Sequence, residues 1–147
     1  PQDMEFEAGF AWAYYYGGYY SYNTSDNFLI GISDIDYGYN DLPNATYYRL
    51  DLYSNVVDAT NGPEIPYGTY TLDSTHSFAP FTIDVSNETR YMVVNASGTR
   101  ITVSYITGGH VTIDENGLTA ELVINGAKHT ITYVGNIFAE DYRSSIL

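Results

Sequence analysis

Apolar and polar residues alternate with a period of two through most of this chain, and helical spacing is almost absent. That alternation marks strands whose two faces meet different surroundings. From Glu5 to Tyr16 it places Phe6, Ala8, Phe10, Trp12, Tyr14 and Tyr16 on one face, against Glu5, Glu7, Gly9, Ala11 and Ala13 on the other. Phe28, Ile30 and Ile32 alternate in a second segment, and Tyr48, Leu50 and Leu52 alternate against Arg49 and Asp51 in a third. Tyr70 with Leu72, Phe81 with Ile83 and Val85, and Tyr91 with Val93 continue the pattern. Pro66-Tyr67-Gly68 ahead of Thr69-Tyr70-Thr71 reads as a turn that launches a strand.

The final third carries two Asn-Gly pairs, the strongest short hairpin signal, because both residues accept positive φ. A two-residue loop at Asn125-Gly126 sets Leu122 opposite His129, Ala120 opposite Ile131 and Leu118 opposite Tyr133. A two-residue loop at Asn116-Gly117 sets Ile113 opposite Ala120 and Val111 opposite Leu122. Both registers bury Ala120 and Leu122 on one face, and a one-residue slip would break the agreement. At Gly108-Gly109 a three-residue loop with a bulge sets Tyr105 opposite Val111 and Val103 opposite Ile113, giving a four-stranded meander from about Arg100 to Val134.

Eight to ten strands with short connections predict an all-β antiparallel domain. Unequal strand lengths and irregular central loops favour a β-sandwich; a calycin-like closed β-barrel is the alternative. A chain of 147 residues is one domain on length, with a short C-terminal tail expected from about Glu140. Pro1 in place of an initiating Met reads as a processed or trimmed chain.

Composition narrows the chemistry. Five basic residues against 18 acidic ones give a net charge of −13, which repels phosphate backbones and anionic headgroups. Nucleic acid is therefore not an expected partner, and no apolar run approaches the roughly 18 residues of a membrane span. Without Cys there is no disulfide, thiolate ligand or thiol nucleophile. Seventeen Tyr stand against six Phe and one Trp, so many rings are expected near the surface, with their polar tips wet.

The Tyr-rich opening Ala13-Tyr14-Tyr15-Tyr16-Gly17-Gly18-Tyr19-Tyr20, the later Tyr48-Arg49-Leu50-Asp51-Leu52-Tyr53-Ser54, the Pro66 to Leu72 turn-strand and the meander ending Ile131-Thr132-Tyr133-Val134-Gly135 come in a telling order. In that order the chain resembles the all-β modules of surface or periplasmic lipoproteins from gut Bacteroidetes. The resemblance implies an exported protein, at the outer-membrane-attached cell surface or in the periplasm, tethered by a lipidated Cys outside this sequence. It carries adhesion or glycan handling as the expected role, and no catalytic residues.

The Tyr cluster is the leading candidate site. Sugar C–H faces pack on aromatic rings and Tyr hydroxyls add hydrogen bonds. Tyr14 and Tyr16 share the face of Trp12 and are expected in the core, leaving Tyr15, Tyr19, Tyr20 and Tyr22 to solvent. Tyr37 and Tyr39 join the ligand-binding candidates from an acidic loop. There Asp34, Asp36 and Asp41 supply the oxygens a Ca²⁺ ion favours, without EF-hand spacing.

His76, His110 and His129 show no metal-ligand spacing, and His129 is expected as a hydrogen-bonded histidine at the core edge. Glu5 and Glu7 share a strand face as a carboxylate pair, a pattern more usual for solubility than for glycoside hydrolysis. Four Asn-X-Ser/Thr triplets start at Asn23, Asn44, Asn87 and Asn95, and Asp73-Ser74-Thr75 resembles a short O-glycosylation motif. The expectation is a non-catalytic exported β-module that binds a glycan or a surface protein through Tyr-rich loops. A structural spacer is the alternative, with a small hydrolase behind both.

Overall fold

Eleven strands form among residues 2–36 and 41–146, the part of the chain that the computed structural model describes. They are β1 (Met4–Glu7), β2 (Phe10–Gly17), β3 (Asp26–Ser33), β4 (Thr46–Ser54), β5 (Gly68–Asp73) and β6 (Thr82–Asp84), then β7 (Arg90–Val94), β8 (Arg100–Asp114), β9 (Gly117–Ile124), β10 (Ala127–Val134) and β11 (Phe138–Asp141). Single 3₁₀ turns at Tyr19–Ser21 and Arg143–Ile146 are the helical pieces.

The strands pair in the order β1-β10-β9-β8-β5-β6-β4-β3-β2-β11, and β7 makes a second bridge between β4 and β8. Strands β4, β6, β5, β8 and β7 therefore close into a ring of five. Alternation does the rest: Phe28, Ile30 and Ile32 of β3, Leu50 and Leu52 of β4, Val111 of β8, Leu122 of β9 and Ile131 of β10 are fully buried in one core.

Not every pair is antiparallel, contrary to expectation. β1 with β10, β11 with β2, and β5 with β6 run parallel. The first two arise because the ends of the chain, far apart in sequence, lie side by side in one direction. At consecutive residues the opening segment changes partner: Ala8 N donates to Thr132 O at 2.8 Å and Gly9 N to Ser33 O at 3.0 Å. The same step swaps faces. Ala13 and Tyr15 enter the core, while Trp12, Tyr14 and Tyr16 point the other way and Phe10 is exposed. The uninterrupted alternation from Glu5 to Tyr16 had assigned these rings the other way round.

Asn125 (φ 52°) and Gly126 (φ 80°) form the expected turn, with His129 opposite Leu122 and Ile131 opposite Ala120. In the preceding hairpin the loop is Glu115-Asn116, one residue earlier than expected, so Val111 faces Ala120 and Ile113 faces Leu118. The Asp114 carboxylate accepts from Asn116 N at 2.8 Å and closes that turn. The net displacement is two residues, so the buried face is unchanged.

Gly108-Gly109 does not turn at all. β8 runs through it as one 15-residue strand, bulged between Ile106 and Gly108. Gly109 (φ 106°) is required because a Cβ there would lie 2.0 Å from Glu121 O. The expected four-stranded meander is accordingly a three-stranded one. At the C-terminus Glu140 and Asp141 still pair with Tyr14 and Tyr15, and Tyr142 stacks on Tyr14 at 4.3 Å.

Candidate functional site

The residues of β2, β3 and β4 that alternate with the core line the opposite face of the sheet. Tyr16, Asn27, Leu29, Asp51 and Tyr53 lie there, with Leu29 opposite Asp51 and Asn27 opposite Tyr53. Tyr20 from the first 3₁₀ turn and Phe78 from the loop before β6 form walls, and Asp84 and Glu88 complete the border of a cleft of about 660 Å³.

Two carboxylates dominate it. Leu52 pairs with Ile83 and Tyr53 with Thr82, so the same register carries Asp84 next to Asp51 across β4 and β6. Like charges at opposed positions repel. The strands are held there by Thr89, whose buried hydroxyl accepts from Asp51 N at 3.1 Å and donates to Asp84 O at 2.6 Å. One side chain thus replaces the ladder bond that the end of β6 leaves unmade.

Asp51 accepts from Asn27 Nδ2 at 2.6 Å and Ser86 Oγ at 3.4 Å. Burial nevertheless pushes its pKa up to about 6, and the Asp84 and Glu88 charges reinforce the rise. Asp84 is also raised by burial, against the opposing pull of His76, whose Nδ1 lies 2.9 Å from Asp84 Oδ1. Arg49 approaches Glu88 at 3.9 Å. The phenols of Tyr16 and Tyr53 are held above their ordinary range by burial.

The rings do not make a flat platform. Tyr53 and Phe78 tilt together at 4.8 Å, Tyr16 and Tyr20 meet edge to face at 6.3 Å, and Tyr19 meets Tyr20 edge to face at 5.0 Å. The rings therefore wall the cleft at angles to one another.

Of the sequence-predicted ligand-binding residues that the structure describes, only Tyr20 lines the cleft. Tyr19 is its neighbour, and Tyr22 is 90% exposed outside it. Tyr15 is the correction. It is 3% exposed, its hydroxyl donates to Asp26 at 2.9 Å, and burial raises its pKa to about 12. Tyr37 and Tyr39 lie outside the described residues.

Asp34 accepts from Thr46 N at 2.8 Å, Asp41 pairs with Arg100, and Asp36 is exposed. Among the described residues no three His, Asp or Glu side chains form a group able to hold a metal. His129 is buried at the core edge as expected, with Tyr48 Oη 2.7 Å from its Nδ1, and Glu5 and Glu7 are exposed on β1.

A second groove of about 740 Å³ runs between the segments 57–67 and 135–141. Of the five acids that line it, Asp58 and Asp141 sit in solvent, held in the ionised form by Thr60 and Arg143. These two are exposed and held ionised, whereas burial raises the pKa of both Asp51 and Asp84 in the cleft. Sequence reading missed Asp51, Asp84, Tyr53 and Phe78; the signal was Asp51 and Tyr53 on the polar face of a strand otherwise rich in buried Leu and Tyr. No family model, curated protein or solved structure matches this chain.

Proposed function

We propose that the chain is a non-catalytic module that binds a glycan in the Tyr16–Tyr20–Tyr53–Phe78 cleft. The observation that carries the reading is the combination of aromatic walls with inward polar groups, Asn27, Asp51 and Asp84, in one open cleft. Sugars present C–H faces to rings and hydroxyls to carboxylates and amides, and this cleft offers both. The resemblance to surface lipoprotein modules supports an exported location, at the cell surface or in the periplasm. We read the architecture as a calycin-like barrel instead of a sandwich. The support is the closed five-strand ring and the Ala8–Gly9 step, which bonds one segment to both β10 and β3.

The test is an array of neutral, acidic and amine-bearing oligosaccharides, probed with the native chain and with a Tyr19→Ala/Tyr20→Ala variant. Binding to at least one class is expected, weakened about tenfold or more in the variant, as for loss of an aromatic anchor. No binding by the native chain to any oligosaccharide overturns the proposal. Release of new reducing ends would overturn its non-catalytic part in favour of glycoside hydrolysis, the second reading that opposed Asp51 and Asp84 support.

A further inference from the structure

We propose that the cleft takes an amine-bearing, positively charged sugar, its ammonium seated between the Tyr20, Tyr53 and Phe78 rings and the carboxylates of Asp51 and Asp84. This rests on the glycan reading above and names the ligand class. Among the described residues the cleft is bordered by four aromatic rings and three carboxylates, and by no Lys, Arg or His. Arg49 approaches Glu88 and His76 meets Asp84, whereas the described side-chain partners of Asp51, Asn27 and Ser86, are neutral donors.

Asp51 is half-buried beside the buried Asp84, and a carboxylate so placed carries a desolvation cost that neutral hydrogen bonds only partly offset. A neutral sugar would leave that cost standing. An ammonium offsets it, and the faces of the surrounding rings attract the same cation. The chain's charge of −13 gathers cations at its surface and favours their encounter with the cleft. The described acids do not converge on a point able to hold a metal ion, so the cation that fits is one carried on a larger, ring-packing ligand.

The experiment compares glucosamine oligosaccharides with their fully N-acetylated counterparts of equal length, at near-neutral pH and low salt. Binding is followed through the amide resonances of Tyr16, Tyr20, Tyr53 and Phe78. The amine form is expected to bind about tenfold or more tightly, a preference that salt reduces. The preference should disappear in Asp51→Asn/Asp84→Asn. It should persist in Glu121→Gln, which removes charge from an exposed position on β9 and so separates the cleft from the overall field. Equal or tighter binding of the N-acetylated form overturns the amine assignment and leaves the glycan reading intact. An equal loss of preference in Glu121→Gln also overturns the assignment. Failure of both forms to bind, with no other oligosaccharide class taking their place, overturns the glycan reading itself.

Discussion

Replacing Asp51 by Asn should stabilise the protein at neutral pH and leave it unchanged in acid. In the folded chain the Asp51 carboxyl titrates near 6 instead of 3.8, chiefly because burial disfavours its charge. Between those values the folded state holds a proton that the unfolded state releases, so stability falls as pH rises through the interval. The rise from 3.8 to about 6 corresponds to about 3 kcal/mol at about 1.4 kcal/mol per pH unit. Water entering the open cleft screens part of it, leaving about 1–3 kcal/mol. Asn keeps the oxygen that accepts from Asn27 and removes both the buried charge and its repulsion with Asp84. Urea unfolding of the two proteins at pH 4 and pH 7.5 measures the difference, which thermal melting should register as roughly 4 °C per kcal/mol. The curves should nearly coincide at pH 4, separate as pH rises toward 6 and stay apart above it, with Asn the more stable. Equal stability at pH 7.5, or a variant that loses stability there, would refute the claim that this carboxylate is ionised at a cost.

Two further substitutions probe the frame around the cleft. Gly31→Ala should cost about 1–3 kcal/mol, because the added Cβ would lie 2.0 Å from Trp12 Cζ2; Trp12 is the sole Trp, so its emission should shift, and unchanged emission with unchanged stability would contradict the packing. Tyr48→Phe should cost about 1–3 kcal/mol by leaving His129 Nδ1 unpaired in the core. Burial lowers the pKa of His129, so the stability it contributes is complete above about pH 6.5 and fades as pH falls through the lower folded value. An NMR titration placing His129 at or above 6.5 would contradict that environment.

Strand identity was legible where alternation and turn chemistry agree. β3, β4, β9 and β10 follow directly from their apolar spacing, and Asn125-Gly126 forced its register because both residues adopt positive φ. The reading failed where one local pattern suits two backbones. Gly108-Gly109 suits a turn and a bulge alike; the partners β7 and β5 along one edge, and β9 close against Gly109, select the bulge. The step at Ala8–Gly9 is equally silent in sequence, since its two hydrogen bonds go to residues on β10 and β3.

The site shows the same division. Tyrosine abundance and the deficit of cations are properties of composition and were legible from the chain. Which tyrosines line the cleft is decided by a face swap at one dipeptide, which buries Tyr15 and turns Tyr16 outward. That Asp51 and Asp84 become neighbours is decided by the pairing of β4 with β6, residues more than 30 positions apart. Alternation is local, set by each residue's own backbone, so the chain alone determines that it forms two-faced strands. Adjacency between distant strands depends on which edges remain free once the core is closed, and only the assembled sheet supplies that.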